Sequence, residues 1–190
     1  MSSVPTNAAL ALPLGTTAED VCITPEEEVL YLFDSTRDSL LRYAISFGLS
    51  THDAEDILQE MFLALFHHLH HGRSRANLRG WTFRVTHNLA LKRRARIRTE
   101  LTRGEENTTA AEQHPDSALN PEARLLLNER QTRLLAVFRV LPEIDQRCLQ
   151  LRAEGLTYRE ISVVVRISLG SVSASLARSM ARLTRAEEPA

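Results

Sequence analysis

The chain has 190 residues, of which 43% are hydrophobic and 25% charged, the balance of a soluble globular protein with room for one ordinary domain or two small ones. No apolar run approaches the ~20 residues that span a bilayer, and Ala8 to Leu14 is too short and too poor in preceding charge for a secretory signal, so a cytoplasmic protein is expected. Cys22 and Cys148 lie far apart without CxxC spacing, which excludes a disulfide scaffold or a cysteine-rich zinc site.

Residues 1–23 lack periodicity and carry Pro5, Pro13 and Gly15, so a disordered tail is expected. Thr24-Pro25-Glu26-Glu27 then reads as a helix start, with Thr24 as N-cap and Glu27 completing a capping box. Val29, Leu30, Phe33, Leu40, Leu41, Ala44 and Ile45 follow at helical spacing, and Gly48 is the stop. Ser50 with Asp53 opens a second helix whose stripe is Ala54, Ile57, Leu58, Met61, Leu65 and Leu69, with Gly72 as a left-handed end. After the basic loop Arg73 to Ala76, a third helix places Leu78, Trp81, Val85 and Leu89 within about 80° of one another, a single buried stripe. Beyond Lys92 its arginines point in every direction, so that end is expected to project past the core.

Residues 99–120 lose their large apolar groups and read as a linker between two modules, 24–98 and 121–185. Pro121 opens a fourth helix, and three shorter ones are expected at about 142–153, 157–165 and 169–183. The last three have the layout of a helix-turn-helix, with Thr157 and Glu160 as a second capping box and Ser168 able to cap the final helix. On that helix Ser171, Ser175, Arg178 and Arg182 cluster within about 60°, away from Val172, Leu176 and Leu183. Hydroxyls and guanidinium groups on one face suit phosphate and base-edge contact. The expected fold is all-α: two small helical domains on a flexible linker.

The formal net charge of −1 conceals segregation. Eleven acidic residues stand against two arginines from Glu19 to Glu60, whereas Arg73 to Arg98 holds nine basic residues and no acid. Four arginines without an acid follow between Ile161 and Ala186. Such blocks predict two basic surfaces and an acidic one with a different partner. Metal coordination at His67-His68-Leu69-His70-His71 is geometrically open, but imidazoles complementing a helix dipole before Gly72 explain the cluster as well, and no metal site is assigned.

Three segments carry a family resemblance. Asp53-Ala54-Glu55-Asp56-Ile57-Leu58-Gln59-Glu60-Met61-Phe62 resembles the core-polymerase-binding helix of bacterial RNA polymerase sigma factors. Gly80-Trp81-Thr82-Phe83-Arg84-Val85-Thr86-His87-Asn88-Leu89-Ala90 is similar to their promoter-melting helix. Leu141-Pro142 with Gly155-Leu156-Thr157-Tyr158-Arg159-Glu160-Ile161-Ser162 resembles their fourth conserved region, and two modules without further domains resemble the extracytoplasmic-function class.

The resemblance implies that Asp53, Asp56, Gln59, Glu60 and Phe62 meet core polymerase at the clamp of its largest subunit, with the beta flap as a further contact. It implies that Arg73, Arg75, Asn77, Arg79, Trp81, Arg84, Asn88, Arg93 and Arg94 meet the minus-ten element, the loop from His71 to Asn77 capturing an unstacked base. Arg96 and Arg98 would extend the phosphate track. Thr157, Arg159, Ser171, Ser175, Arg178 and Arg182 would meet the minus-thirty-five element. An anti-sigma factor is a further implied partner. Where the family reads Gly-Thr-Val-Lys-Ser-Arg, this chain has Gly170-Ser171-Val172-Ser173-Ala174-Ser175, so two cations are missing and upstream binding is expected to be weak. Arg166 replaces the usual turn glycine, and Lys92 a common aspartate. No glycine-rich phosphate loop, HExxH or nucleophile motif supports an enzyme, and no cofactor is expected. The alternatives are a two-domain helix-turn-helix regulator, which would bind duplex DNA unaided, and a degenerate sigma-like protein that binds polymerase but not promoters.

Overall fold

The computed structural model describes residues 24–102 and 121–187; the expected tail over 1–23 and most of the expected linker lie outside the described residues. Seven helices follow in order: α1 Pro25–Ile45, α2 Thr51–His70, α3 Leu78–Thr102, α4 Pro121–Arg139, α5 Glu143–Ala153, α6 Tyr158–Val165 and α7 Leu169–Glu187. Among the described residues there is no strand, and no single helix is long and apolar enough to cross a membrane.

The helix starts follow their capping chemistry. Thr24 Oγ1 accepts from the Glu27 amide at 3.2 Å while the Glu27 carboxylate accepts from the Thr24 amide at 2.9 Å, satisfying two of the donors that a helix start orphans. Thr157 and Glu160 repeat the device on α6, Ser50 caps α2, and Ser168 Oγ accepts from the Ser171 amide on α7. Gly72, at φ +63°, ends α2 in the left-handed conformation. α6 ends instead on Arg166 at φ 57°, a left-handed site where a side chain is disfavoured.

α1, α2 and α3 pack together around Leu40, Tyr43, Met61, Leu65 and Phe83, while α5, α6 and α7 pack around Leu151, Leu156, Ile161, Val164 and Val172. Burying each of the Leu, Ile, Val, Met and Phe side chains among these contributes roughly 1.5–3 kcal/mol. The two groups are not separate in space. α3 packs against α6, and one hydrophobic cluster runs from Leu32 to Leu176.

That double packing changes the reading of α3. Of the expected stripe only Leu78 is fully buried, whereas Trp81, Val85 and Leu89 are half-buried. Thr82, Phe83, Thr86, His87 and Ala90 go inside instead. Thr82 Oγ1 donates to the Arg79 carbonyl and His87 Nδ1 bonds the Tyr43 hydroxyl, whereas Thr86 Oγ1 is buried without a partner among the described residues; a search for one apolar stripe passes all three over. The basic end does not project freely either: Ile97 packs on the core and Arg94 is held by α5.

Candidate nucleic-acid interface

The loop between α2 and α3 and the first turns of α3 form a shallow cleft lined by Ala76, Asn77, Gly80, Trp81, Arg84, Glu160 and Val163. Asn77 sits at φ 53°, a conformation asparagine tolerates, and its Oδ1 accepts from the Gly80 amide at 3.0 Å to cap α3. A Cβ on Gly80 would stand 2.5 Å from Asn77 Nδ2, so this cap requires glycine at position 80. Sequence reasoning quoted Gly80 without assigning it this part.

Trp81 is half-buried, its ring 4.7 Å from that of His68. His68 Nε2 in turn bonds the Ser74 carbonyl at 2.9 Å, so one imidazole braces both the indole and the loop. His71 Nδ1 bonds the His67 carbonyl at 2.7 Å, and His70 stacks on Phe66. Among the described residues no group of three or more His, Cys, Asp or Glu side chains is arranged to hold a metal ion.

The basic residues expected near DNA are distributed around this cleft but are mostly engaged. Arg73, Arg79 and Asn88 are exposed, Arg84 lines the cleft, and Arg75 reaches Glu28 at 3.3 Å. Arg79 donates through Nη2 to the Glu154 carbonyl. Arg93 bridges Asp53 and Asp56 on α2, at 2.6 and 3.3 Å. Arg94 donates both Nη groups to the Glu143 carboxylate, and Arg96 pairs with Glu100 one turn on. The hydrogen bond from Arg94 holds the Glu143 carboxyl below its ordinary range against a smaller penalty from burial.

On α2, Asp56, Gln59 and Glu60 are exposed on one face. Asp53 departs from the expected set: half-buried, it accepts from Ser50 Oγ and from Arg93. Burial alone would raise its pKa, but the two hydrogen bonds together with the nearby positive charge of Arg93 outweigh it and the net shift is downward. Phe62 departs further. Its ring is buried 4.9 Å from Phe33, where it holds α1 to α2 and presents little surface outward.

In the C-terminal helices the polar face of α7 is split. Ser171, Arg178 and Arg182 are exposed, as is Ser173, and Arg159 stands exposed on α6. Thr157 spends its hydroxyl on the cap of α6. Ser175 lies inside, contrary to its expected place on the outer face, and its hydroxyl donates to buried Asp145 at 2.6 Å. Arg178 donates to the same carboxylate oxygen at 3.1 Å, which gives Asp145 the partners a buried charge requires. A residue at 175 therefore points away from any phosphate, and helical spacing could not show this because nothing marks Asp145 as a buried acceptor.

Comparisons with known proteins align with this geometry. The model of sigma-70 region 2 matches residues 32–99, and the model of sigma-70 region 4 matches residues 131–183. The chain is 29% identical over 149 residues to the ECF RNA polymerase sigma factor SigE of Mycolicibacterium smegmatis, an alignment covering 77% of this chain. It spans 56% of that relative's length. Two solved structures share the fold. CnrH in complex with the cytosolic domain of CnrY matches with a TM-score of 0.52 at 22% identity, over 84% of this chain and 87% of the other. The sigma factor RpoE in complex with the anti-sigma factor NepR from Bartonella quintana matches with a TM-score of 0.59 at 16% identity, over 85% and 94%.

Proposed function

The chain belongs to the sigma-70 family of RNA polymerase sigma factors, in the extracytoplasmic-function class, and from that premise we propose that it binds core RNA polymerase and directs it to promoters. The observation that carries the reading is the coexistence of an exposed acidic face on α2 with a braced, arginine-lined cleft at the start of α3. Asp56, Gln59 and Glu60 suit a basic and polar partner surface, the clamp of the largest polymerase subunit. Trp81, held by His68 beside Arg84 and Asn77, suits an unstacked base, and base–aromatic stacking contributes roughly 1–3 kcal/mol. Arg159, Ser171, Arg178 and Arg182 form the second DNA contact, with the beta flap as a further site on polymerase.

In this reading the protein is not itself an enzyme. It positions DNA, and the polymerase performs phosphoryl transfer in the cytoplasm. An anti-sigma factor is a natural regulator, as the complex of the structurally similar RpoE with NepR suggests. Run-off transcription with core polymerase on a genomic fragment library tests the proposal. Transcripts that start only when this protein is added are expected. Failure to retain core polymerase in a pull-down would overturn it.

A further inference from the structure

The histidine cluster that ends α2 holds four imidazoles in four different settings. His67 and His70 are exposed, and His71 bonds back to the His67 carbonyl. His68 is half-buried and meets the cleft region from two directions. Its ring lies 4.7 Å from that of Trp81, inclined by 40°. Its Nε2 bonds the Ser74 carbonyl at 2.9 Å, and because a carbonyl only accepts, that nitrogen carries the hydrogen. Its own carbonyl accepts from the Arg73 amide at 3.2 Å, so one residue holds two consecutive residues of the loop. We propose that His68 is a positioning residue for base capture: it sets the indole of Trp81 and the loop 73–77 in the geometry that receives an unstacked base of promoter DNA. This rests on the functional reading above for the identity of the ligand, but not for the brace itself.

Residues 73–77 are all exposed, so apolar burial does not fix them and polar contacts must. Arg75 reaches Glu28, the Ala76 amide donates to Ser74 Oγ at 3.2 Å, and Asn77 caps α3. Ala76 and Asn77 then line the cleft together with Trp81 and Arg84. His68 is not part of that lining, so it acts through the residues that are. A loop and an indole fixed beforehand spare the incoming base the ordering cost that free ones would impose. The two halves of the brace are chemically separable. The contact with Trp81 needs an aromatic ring, and the bond to Ser74 needs an N–H donor. Glutamine at position 68 keeps a donor and drops the ring, whereas phenylalanine keeps a ring and drops the donor.

The test uses the full chain with His68→Gln and with His68→Phe. His70→Gln is the control, because His70 stacks on Phe66 and lies outside the cleft lining. Trp81 is the single tryptophan of the chain, so its fluorescence reports this indole alone. Without polymerase, His68→Gln should raise acrylamide quenching of Trp81 and shift its emission to the red, whereas His68→Phe should leave both nearly unchanged. Run-off transcription with core polymerase then reads base capture on a promoter fragment recovered from the genomic library. The fragment is used fully duplex, and also mismatched so that its minus-ten segment is already unpaired. Both variants should initiate about ten-fold less from the duplex, since the contact must now be ordered as the base binds. On the unpaired fragment the loss should largely disappear, because strand separation no longer draws on base capture. A folding defect would lower both templates alike, so equal losses overturn the proposal. An unmoved Trp81 signal in His68→Gln, duplex initiation at the unmodified level in either variant, or a matching loss in His70→Gln overturns it as well. The unmodified chain keeps the readings apart. If it does not transcribe, the functional reading fails and the positioning role falls with it. If it transcribes and the His68 variants match it, only the role of His68 fails.

Discussion

The outer face of α2 and the basic face of α3 come from adjacent stretches of one module, yet they stand in opposite conditions. On α2, Asp56, Gln59 and Glu60 face outward and are exposed. On α3, Arg79 and Arg94 are held by α5, and the cleft at Trp81 is walled by α6. The contrast separates a surface open to a partner from one whose cations are already engaged within the chain.

The largest expected effect concerns His87, which lies in the core beneath the covering helices, 2.7 Å from the Tyr43 hydroxyl. Burial pushes its pKa down to about 4, and Arg147 and Arg166 from the covering side push the same way, against Glu143. A base with a folded pKa below its ordinary 6.5 keeps its full contribution to stability above that value. The contribution is lost as pH falls from 6.5 to about 4, in total about 3 kcal/mol. Chemical denaturation at pH 7 and pH 4 reads the loss, and His87→Gln should flatten it. NMR titration sharpens the comparison: Arg147→Gln removes one of the two cations, so His87 should titrate at higher pH than in the unmodified chain. An unchanged His87 would mean that the covering helices do not set its environment.

A second test addresses the open face. Asp56→Lys with Glu60→Lys should weaken core-polymerase binding by about 30-fold or more, as expected for reversing charges that meet a complementary surface. Binding of single-stranded DNA at the cleft beside Trp81 should change far less, because these groups lie outside its lining. If both activities fall together, the two faces are not functionally distinct.

Ser175→Ala should cost about 1–2 kcal/mol in thermal or denaturant unfolding, because Asp145 loses one of two partners while staying buried. Arg182→Ala should leave stability nearly unchanged and reduce the salt slope of promoter binding by about one. The reverse pattern would put Ser175 on the DNA side after all.

These residues also show what the sequence could and could not reveal. Helix starts at Thr24, Ser50 and Thr157 were legible because capping uses residues three apart. The stripe of α2 was legible because that helix buries one face. What escaped were contacts made across large sequence separations: Arg94 meets Glu143 and Arg42 meets Glu154, 49 and 112 residues away. No local spacing encodes such pairs. The same limit explains Ser175 and Phe62, whose surroundings are set by Asp145 and Phe33 on other helices. Charge segregation indicated that a basic surface exists, but not that the chain itself covers it.

The smallest effect concerns the end of α6, the helix that walls the cleft at Trp81. Arg166 ends α6 at φ 57° and ψ 44°, where a Cβ is disfavoured and glycine is at ease. Arg166→Gly should therefore raise the unfolding free energy by about 1 kcal/mol, the relief of left-handed strain exceeding the extra freedom glycine gains when unfolded. The same change deletes a cation that disfavours protonated His87, so the imidazole should titrate somewhat higher. Arg166 is not part of the cleft lining, so single-stranded DNA binding should stay as in the unmodified protein. A stabler chain that also binds DNA more tightly would show that the geometry of α6 controls access to the cleft.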